Sequence, residues 1–222
     1  MPRSTRQTLI RFYDALFAAY GPQGWWPARS RTEIVVGAIL TQNTNWRNVE
    51  RAIANLRAAR LLTWKALRDA PANKLARLIR PSGYFNIKAR RLKCFVNWLW
   101  DRHRGNFEDL RRLPLGTLRA ELLSVSGIGP ETADSIILYA LRKPTFVADA
   151  YTARLLRRHG LVNGGVRYDE LKAVFEDHLP ADERLFNQYH ALIVAVGKKH
   201  CRPRARCDGC PLQRFEHDPR AC

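Results

Sequence analysis

Apolar residues return every three or four positions along almost the whole chain, and no run alternates apolar with polar residues between hairpin turns. Leu9, Phe12, Leu16 and Tyr20 form one stripe, closed by Gly21-Pro22. Val49, Ala52, Ile53 and Leu56 form a second, Leu75, Leu78 and Ile79 a third, and Ala89, Leu92, Phe95, Val96 and Leu99 a fourth. This spacing collects apolar groups on one face of a helix, whereas a half-buried strand needs period two. The pattern recurs over 117–123, 130–141, 149–158, 168–179 and 184–198. Start signals agree with it. Ser30 and Glu33 make a capping box, Thr44 is placed to cap the next helix, and Pro71 suits a first helical turn. The expectation is an all-α bundle of about ten short helices.

Charge narrows the partner. The 222 residues carry 38 Lys+Arg against 20 Asp+Glu, a net +18, and only eight of the basic residues are lysine. Guanidinium forks match phosphate geometry, so a polyanion is the expected partner. With 46% hydrophobic residues the chain has material for a core, which excludes a disordered basic tail. No apolar run approaches the ~20 residues of a membrane span. The opening MPRSTRQ has no signal-peptide core, so a cytoplasmic protein is expected, and it is read as a monomer.

The segment TLRAELLSVSGIGPETADSIILYAL, residues 117–141, is the most informative. It reads as a helix ending near Val125, a tight turn Ser126-Gly127-Ile128-Gly129, and a second helix opened by Pro130. Two glycines allow positive φ and close backbone approach. Free N–H groups at such a turn and helix N-terminus can hold a phosphate without reading sequence. An ordinary helix–helix turn is the alternative.

Together with four other blocks, this hairpin resembles the helix-hairpin-helix DNA glycosylases of the endonuclease III type. The blocks are Leu40-Thr41-Gln42-Asn43-Thr44, Gly83-Tyr84-Phe85-Asn86 followed by Lys88-Ala89, Phe146-Val147-Ala148-Asp149, and the Cys-rich end. Their order and spacing match the family over nearly the whole length. The resemblance implies two lobes, one of six helices over 30–143 and one built from 1–29 plus 144–222, with double-stranded DNA containing a damaged base lying across the cleft.

Asp149 reads as a helix N-cap. The resemblance adds a catalytic role, because the family places its essential Asp there. A carboxylate facing a sugar that is losing its base stabilises an oxocarbenium-like charge and activates water. Bifunctional relatives carry a lysine on the second hairpin helix that attacks the sugar. The matching position here is Glu131, which cannot form an imine. The expectation is base removal without efficient strand cleavage, with Lys143 the nearest other lysine. The alternatives are a bifunctional glycosylase for oxidised pyrimidines and a DNA-binding paralogue without activity.

Trp25, Trp26 and Pro27, with Trp46, resemble the 3-methyladenine branch of the family, in which a flipped base stacks between aromatic residues. Core packing is the other reading of each tryptophan. Gln42 and Tyr84 match positions that fill the gap left by the flipped nucleotide. Lys88, Arg90, Arg91 and Lys93 are either phosphate partners or simply the wet face of their helix. Cys94 reads as a buried helix residue.

Four of five cysteines, Cys201, Cys207, Cys210 and Cys222, fall in the last 22 residues. Four thiolates suit either an iron–sulfur cubane or tetrahedral zinc. The resemblance favours [4Fe–4S], although the first gap is one residue shorter and the last much longer than the family's. The loop 202–206 would be stapled so that its arginines face DNA. The histidines show no catalytic or metal spacing, and only His200, beside Cys201, is an alternative ligand.

Overall fold

The computed structural model describes residues 4–221. Among them are eleven α-helices and no strand: α1 (Thr5–Tyr20), α2 (Arg31–Leu40), α3 (Trp46–Ala58), α4 (Trp64–Asp69), α5 (Ala72–Leu78), α6 (Phe85–His103), α7 (Leu115–Leu123), α8 (Pro130–Ser135), α9 (Ala150–Arg158), α10 (Tyr168–Glu176) and α11 (Glu183–Lys199). Tight 3-10 turns fill Arg80–Ser82 and Phe107–Arg112, and α8 runs on into a wider π-type turn over Ile136–Ala140. The chain divides into two compact units, Trp26–Lys143 on one hand and Met1–Trp25 with Pro144–Cys222 on the other.

The unit Trp26–Lys143 holds α2 to α8, seven described helices where six were expected. The short α4, capped by Thr63, has only one buried apolar side chain, Leu67, and so shows no stripe. The unit is built around α2, whose Val35, Val36, Ile39 and Leu40 are wholly buried. A helix apolar on every side is a central one. The stripes of α3 and α6 face this core as expected. Two start signals work differently. Glu33 does not close a box on the Ser30 amide; its carboxylate accepts from Arg29 N at 2.8 Å and from Arg57. Asn45, not Thr44, caps α3, accepting from Asn48 N at 3.0 Å.

The other unit packs α1, α9 and α10 with the long α11. Buried Tyr189 donates its hydroxyl to Leu9 O at 2.8 Å, tying α11 to α1. Gly197 lets Tyr151 of α9 approach α11 closely, because a Cβ there would overlap the Tyr151 ring. Phe146 stacks on Phe175 with ring centroids 3.7 Å apart.

Candidate functional site

In the hairpin, α7 ends at Leu123 and Pro130 opens α8. The two glycines of the turn do different jobs. Gly127 takes φ +88°, and a Cβ there would run into the Arg91 side chain. Gly129 is extended, at φ −92° and ψ 176°, so only one of the two glycines uses left-handed freedom. Glu131 is exposed in the first turn of α8. Inside the hairpin, Arg119 forks onto the fully buried Asp134.

Gln42 is tied to this turn. Its amide donates to Thr132 Oγ1 at 2.8 Å and to Gly127 O at 3.3 Å, and its Oε1 accepts from Arg91 Nη1. The backbone beside it is left-handed, with Asn43 at φ +53°. Tyr84 is a second tip: left-handed at φ +44° and 68% exposed. A bulky residue in that region costs of order 1–3 kcal/mol, and such residues gather at functional sites.

Lys88 corrects the sequence reading. It is neither a phosphate partner nor part of a wet helix face, being buried with Nζ donating to Leu40 O at 2.8 Å and Ser82 O at 2.6 Å. Burial, helped by the nearby Arg91 charge, holds its pKa down at about 8. Lys88 therefore joins the end of α2, ahead of Gln42, to the turn ahead of Tyr84. Among its basic neighbours, Arg90 is exposed, Arg91 is spent on Gln42, and Lys93 reaches the carbonyls at the end of α4. Cys94 is half-buried rather than buried.

Trp26 and Trp46 fall in one unit and Trp25 in the other. Trp26 lies against Gly37 of α2 and meets Trp46 edge to face and Tyr139 at a tilt, each with centroids 5.1 Å apart. Trp26 and Trp46 thus touch, and no base fits sandwiched between them. Trp46 also donates Nε1 to Glu50 at 2.8 Å. Pro27 is exposed. Trp25 falls in the other unit, where Lys198 Nζ stands 5.8 Å from its ring.

In that unit Asp149 caps α9. Oδ1 accepts from Thr152 N at 2.9 Å and from Thr152 Oγ1 at 3.1 Å, while Oδ2 faces His190 Nε2 at 3.6 Å. Burial pushes the carboxyl pKa up, but His190 and the Thr152 donors outweigh it and hold the group below the ordinary carboxylate range. The strand of chain before it is pinned by Glu176, which accepts from Phe146 N at 2.7 Å and Thr145 Oγ1 at 3.1 Å. His190 had no sequence signal; it reaches Asp149 from α11.

Cys201, Cys207 and Cys210 line one pocket with His159, His200 and His217. Burial pushes the Cys210 thiol pKa up, with a further rise from Cys201 and Cys207. The thiols ring the pocket: among the described residues no three potential ligands are grouped as an ion site. Cys222 lies outside the described residues. No described helix is long and apolar enough to cross a membrane.

Comparison with known proteins gives these features a context. A provisionally assigned DNA repair glycosylase of Methanocaldococcus jannaschii, MJ1434, is 48% identical over 217 residues, covering 97% of this chain and 98% of its own. Endonuclease III of Sulfolobus acidocaldarius is 27% identical, over 82% of this chain and 79% of its own. The crystal structure of H. pylori 3-methyladenine DNA glycosylase (MagIII) bound to 1,N6-ethenoadenine superposes with a TM-score of 0.74 at 28% identity, covering 89% of this chain and 98% of that one. A non-covalent endonuclease III–DNA complex shares the fold, with a TM-score of 0.82 at 20% identity over 98% of this chain and 97% of that one. Residues 36–181 match the HhH-GPD superfamily, and this chain belongs to that superfamily of base excision DNA repair proteins.

Proposed function

We propose that the chain is a DNA N-glycosylase that flips a damaged base out of double-stranded DNA and hydrolyses its bond to the sugar without cutting the strand. The observation that carries this is Asp149, an ionised carboxylate fixed at a helix start through Oδ1, with Oδ2 turned to His190. As the C1′–N bond breaks, its electron pair leaves with the base and the sugar gathers positive charge. A preplaced carboxylate stabilises that charge. Water then adds to C1′ and its proton passes to the carboxylate, leaving an abasic sugar. Strand cleavage needs an amine that forms an imine with C1′. Glu131 stands at the matching position, and Lys143 has its Nζ on Leu113 O at 2.9 Å.

The preferred substrate is an alkylated purine such as 3-methyladenine, a reading supported by the likeness to the H. pylori enzyme. Such bases are electron-poor, and an indole face attracts them. Because Trp26 and Trp46 touch, the base would stack on an outer indole face. Gly127 and Gly129 would hold the DNA backbone, and Gln42 and Tyr84 would fill the gap. Cys201, Cys207 and Cys210 would hold a [4Fe–4S] cluster with Cys222 as the fourth ligand; three thiols lining one pocket are the soft donor set such a cluster takes. When bound, the cluster would act as a structural tie. It would hold the 202–206 loop, on which Arg202, Arg204 and Arg206 are exposed.

The test is incubation with duplexes carrying alkylated, oxidised or mismatched bases, with free base and strand breaks measured separately. Release of alkylated purine without breaks, abolished by Asp149→Asn, is the expected result. A borohydride-trapped adduct lost in Lys143→Ala would overturn the monofunctional reading, and full activity of Asp149→Asn would overturn the mechanism.

A further inference from the structure

Capping accounts for only half of what surrounds Asp149. An N-cap carboxylate needs one oxygen for its helix, and Oδ1 supplies it by taking both Thr152 donors. Oδ2 is not needed for the cap. It faces instead the Nε2 of His190, 3.6 Å away on α11, at a place with 6% of the histidine exposed and the Phe146 ring centroid 6.4 Å from its own. An imidazole is costly to bury among apolar groups without a polar partner, and here the carboxylate is one.

We propose that His190 is a positioning residue for Asp149, fixing where Oδ2 points; this rests on the glycosylase reading above. A carboxylate anchored at one oxygen still has play, because small coupled turns about Cα–Cβ and Cβ–Cγ shift Oδ2 while Oδ1 keeps its donors. A second contact, from a different helix, stops that play. Oδ2 is the oxygen left to meet the sugar or the attacking water. The contact is longer than an ordinary hydrogen bond, and catalytic hydrogen bonds are commonly long in the free protein and tighten around substrate. A misplacement of about 1 Å at such a group costs on the order of 100-fold in rate.

The experiment compares His190→Leu, which keeps bulk without a donor, with His190→Gln, which keeps a donor at similar reach. Asp149→Asn serves as reference. The readouts are the single-turnover rate of base release, Kd for a duplex with a stable abasic-site analogue, and the thermal unfolding midpoint. His190→Leu is expected to slow release by about 10- to 100-fold, while Kd stays within about twofold. His190→Gln is expected to recover most of the rate. Wild-type release by His190→Leu, or equal slowing in both variants, overturns the proposal, because packing alone would then explain the histidine. Should His190→Leu not fold, His190→Asn replaces it: its shorter amide is expected to release slowly where Gln does not, and equal rates overturn the proposal. Full activity of Asp149→Asn defeats the functional reading itself; an inactive Asp149→Asn beside a fully active His190→Leu defeats only the role of the histidine.

Discussion

Arg119 of α7 grips Asp134 of α8 with both sides of its guanidinium, Nε to Oδ1 at 2.9 Å and Nη2 to Oδ2 at 3.2 Å, and the carboxylate has no solvent exposure. The hairpin is closed by charge as well as by its turn. Removing one partner of such a pair strands the other. Arg119→Met is expected to lower the unfolding free energy by about 3 kcal/mol, and Arg119→Met with Asp134→Leu to recover much of that. Urea unfolding of the three proteins checks it; equal loss in the single and double variants would contradict it.

Lys88 gives stability a dependence on pH. Its folded pKa is held at about 8, below the ordinary lysine value, chiefly by burial. Below that value both folded and unfolded chains carry the proton. Between it and about 10.4 the unfolded chain binds more protons, so this residue's contribution to stability rises with pH. The gap in unfolding free energy between wild type and Lys88→Met is therefore expected to shift in favour of wild type from pH 7.5 to 9.5, read by chemical denaturation at both.

At Gly197 the constraint is steric. An added methyl meets the Tyr151 ring, and α9 carries Asp149 at its start. Gly197→Ala should destabilise by about 1–3 kcal/mol, and Tyr151→Ala in the same chain should restore part of it. A thermal midpoint unchanged by Gly197→Ala would show that α9 yields freely.

The net charge of +18 should appear as salt sensitivity. If six or more phosphates are neutralised, affinity for undamaged duplex falls about 1,000-fold or more between 50 and 200 mM salt. Asp149→Asn is expected to keep the same slope while losing base release. A shallow slope would mean that most of the arginines never meet the backbone.

The cysteine pocket predicts bound iron. Purified protein is expected to be brown, with about four irons per chain, and Cys201→Ser, Cys207→Ser, Cys210→Ser and Cys222→Ser should each reduce iron content and lower the unfolding midpoint. A colourless protein containing one zinc per chain would refute the cluster.

Helices were the legible part of this sequence, because each stripe is local: the residues that make α3 and α6 amphipathic lie within a few turns of one another. The wide turn over Ile136–Ala140 was read as plain helix, since its apolar side chains fit either winding. Asp149 announced itself as a cap because the cap is also local. His190, on a helix two elements further along the chain, did not, since nothing in its own surroundings in sequence marks a partner. Lys88 is illegible in the sequence for the opposite reason. A lysine among basic neighbours looks wet until two carbonyls, from segments that only the fold brings together, take its ammonium inward. The touching of Trp26 and Trp46 likewise depends on how the chain before α2 crosses that helix.

Tyr84 sets two demands against each other. Its backbone conformation is one that glycine or asparagine would adopt at lower cost, and its ring gains little from the core. Any drift toward a sturdier fold would therefore act against the tyrosine. Engineering for heat resistance that follows backbone preference alone would replace a residue proposed above to fill the gap beside a flipped nucleotide. Comparing variants at this position by half-life at high temperature and by activity should show the two ranks running in opposite directions.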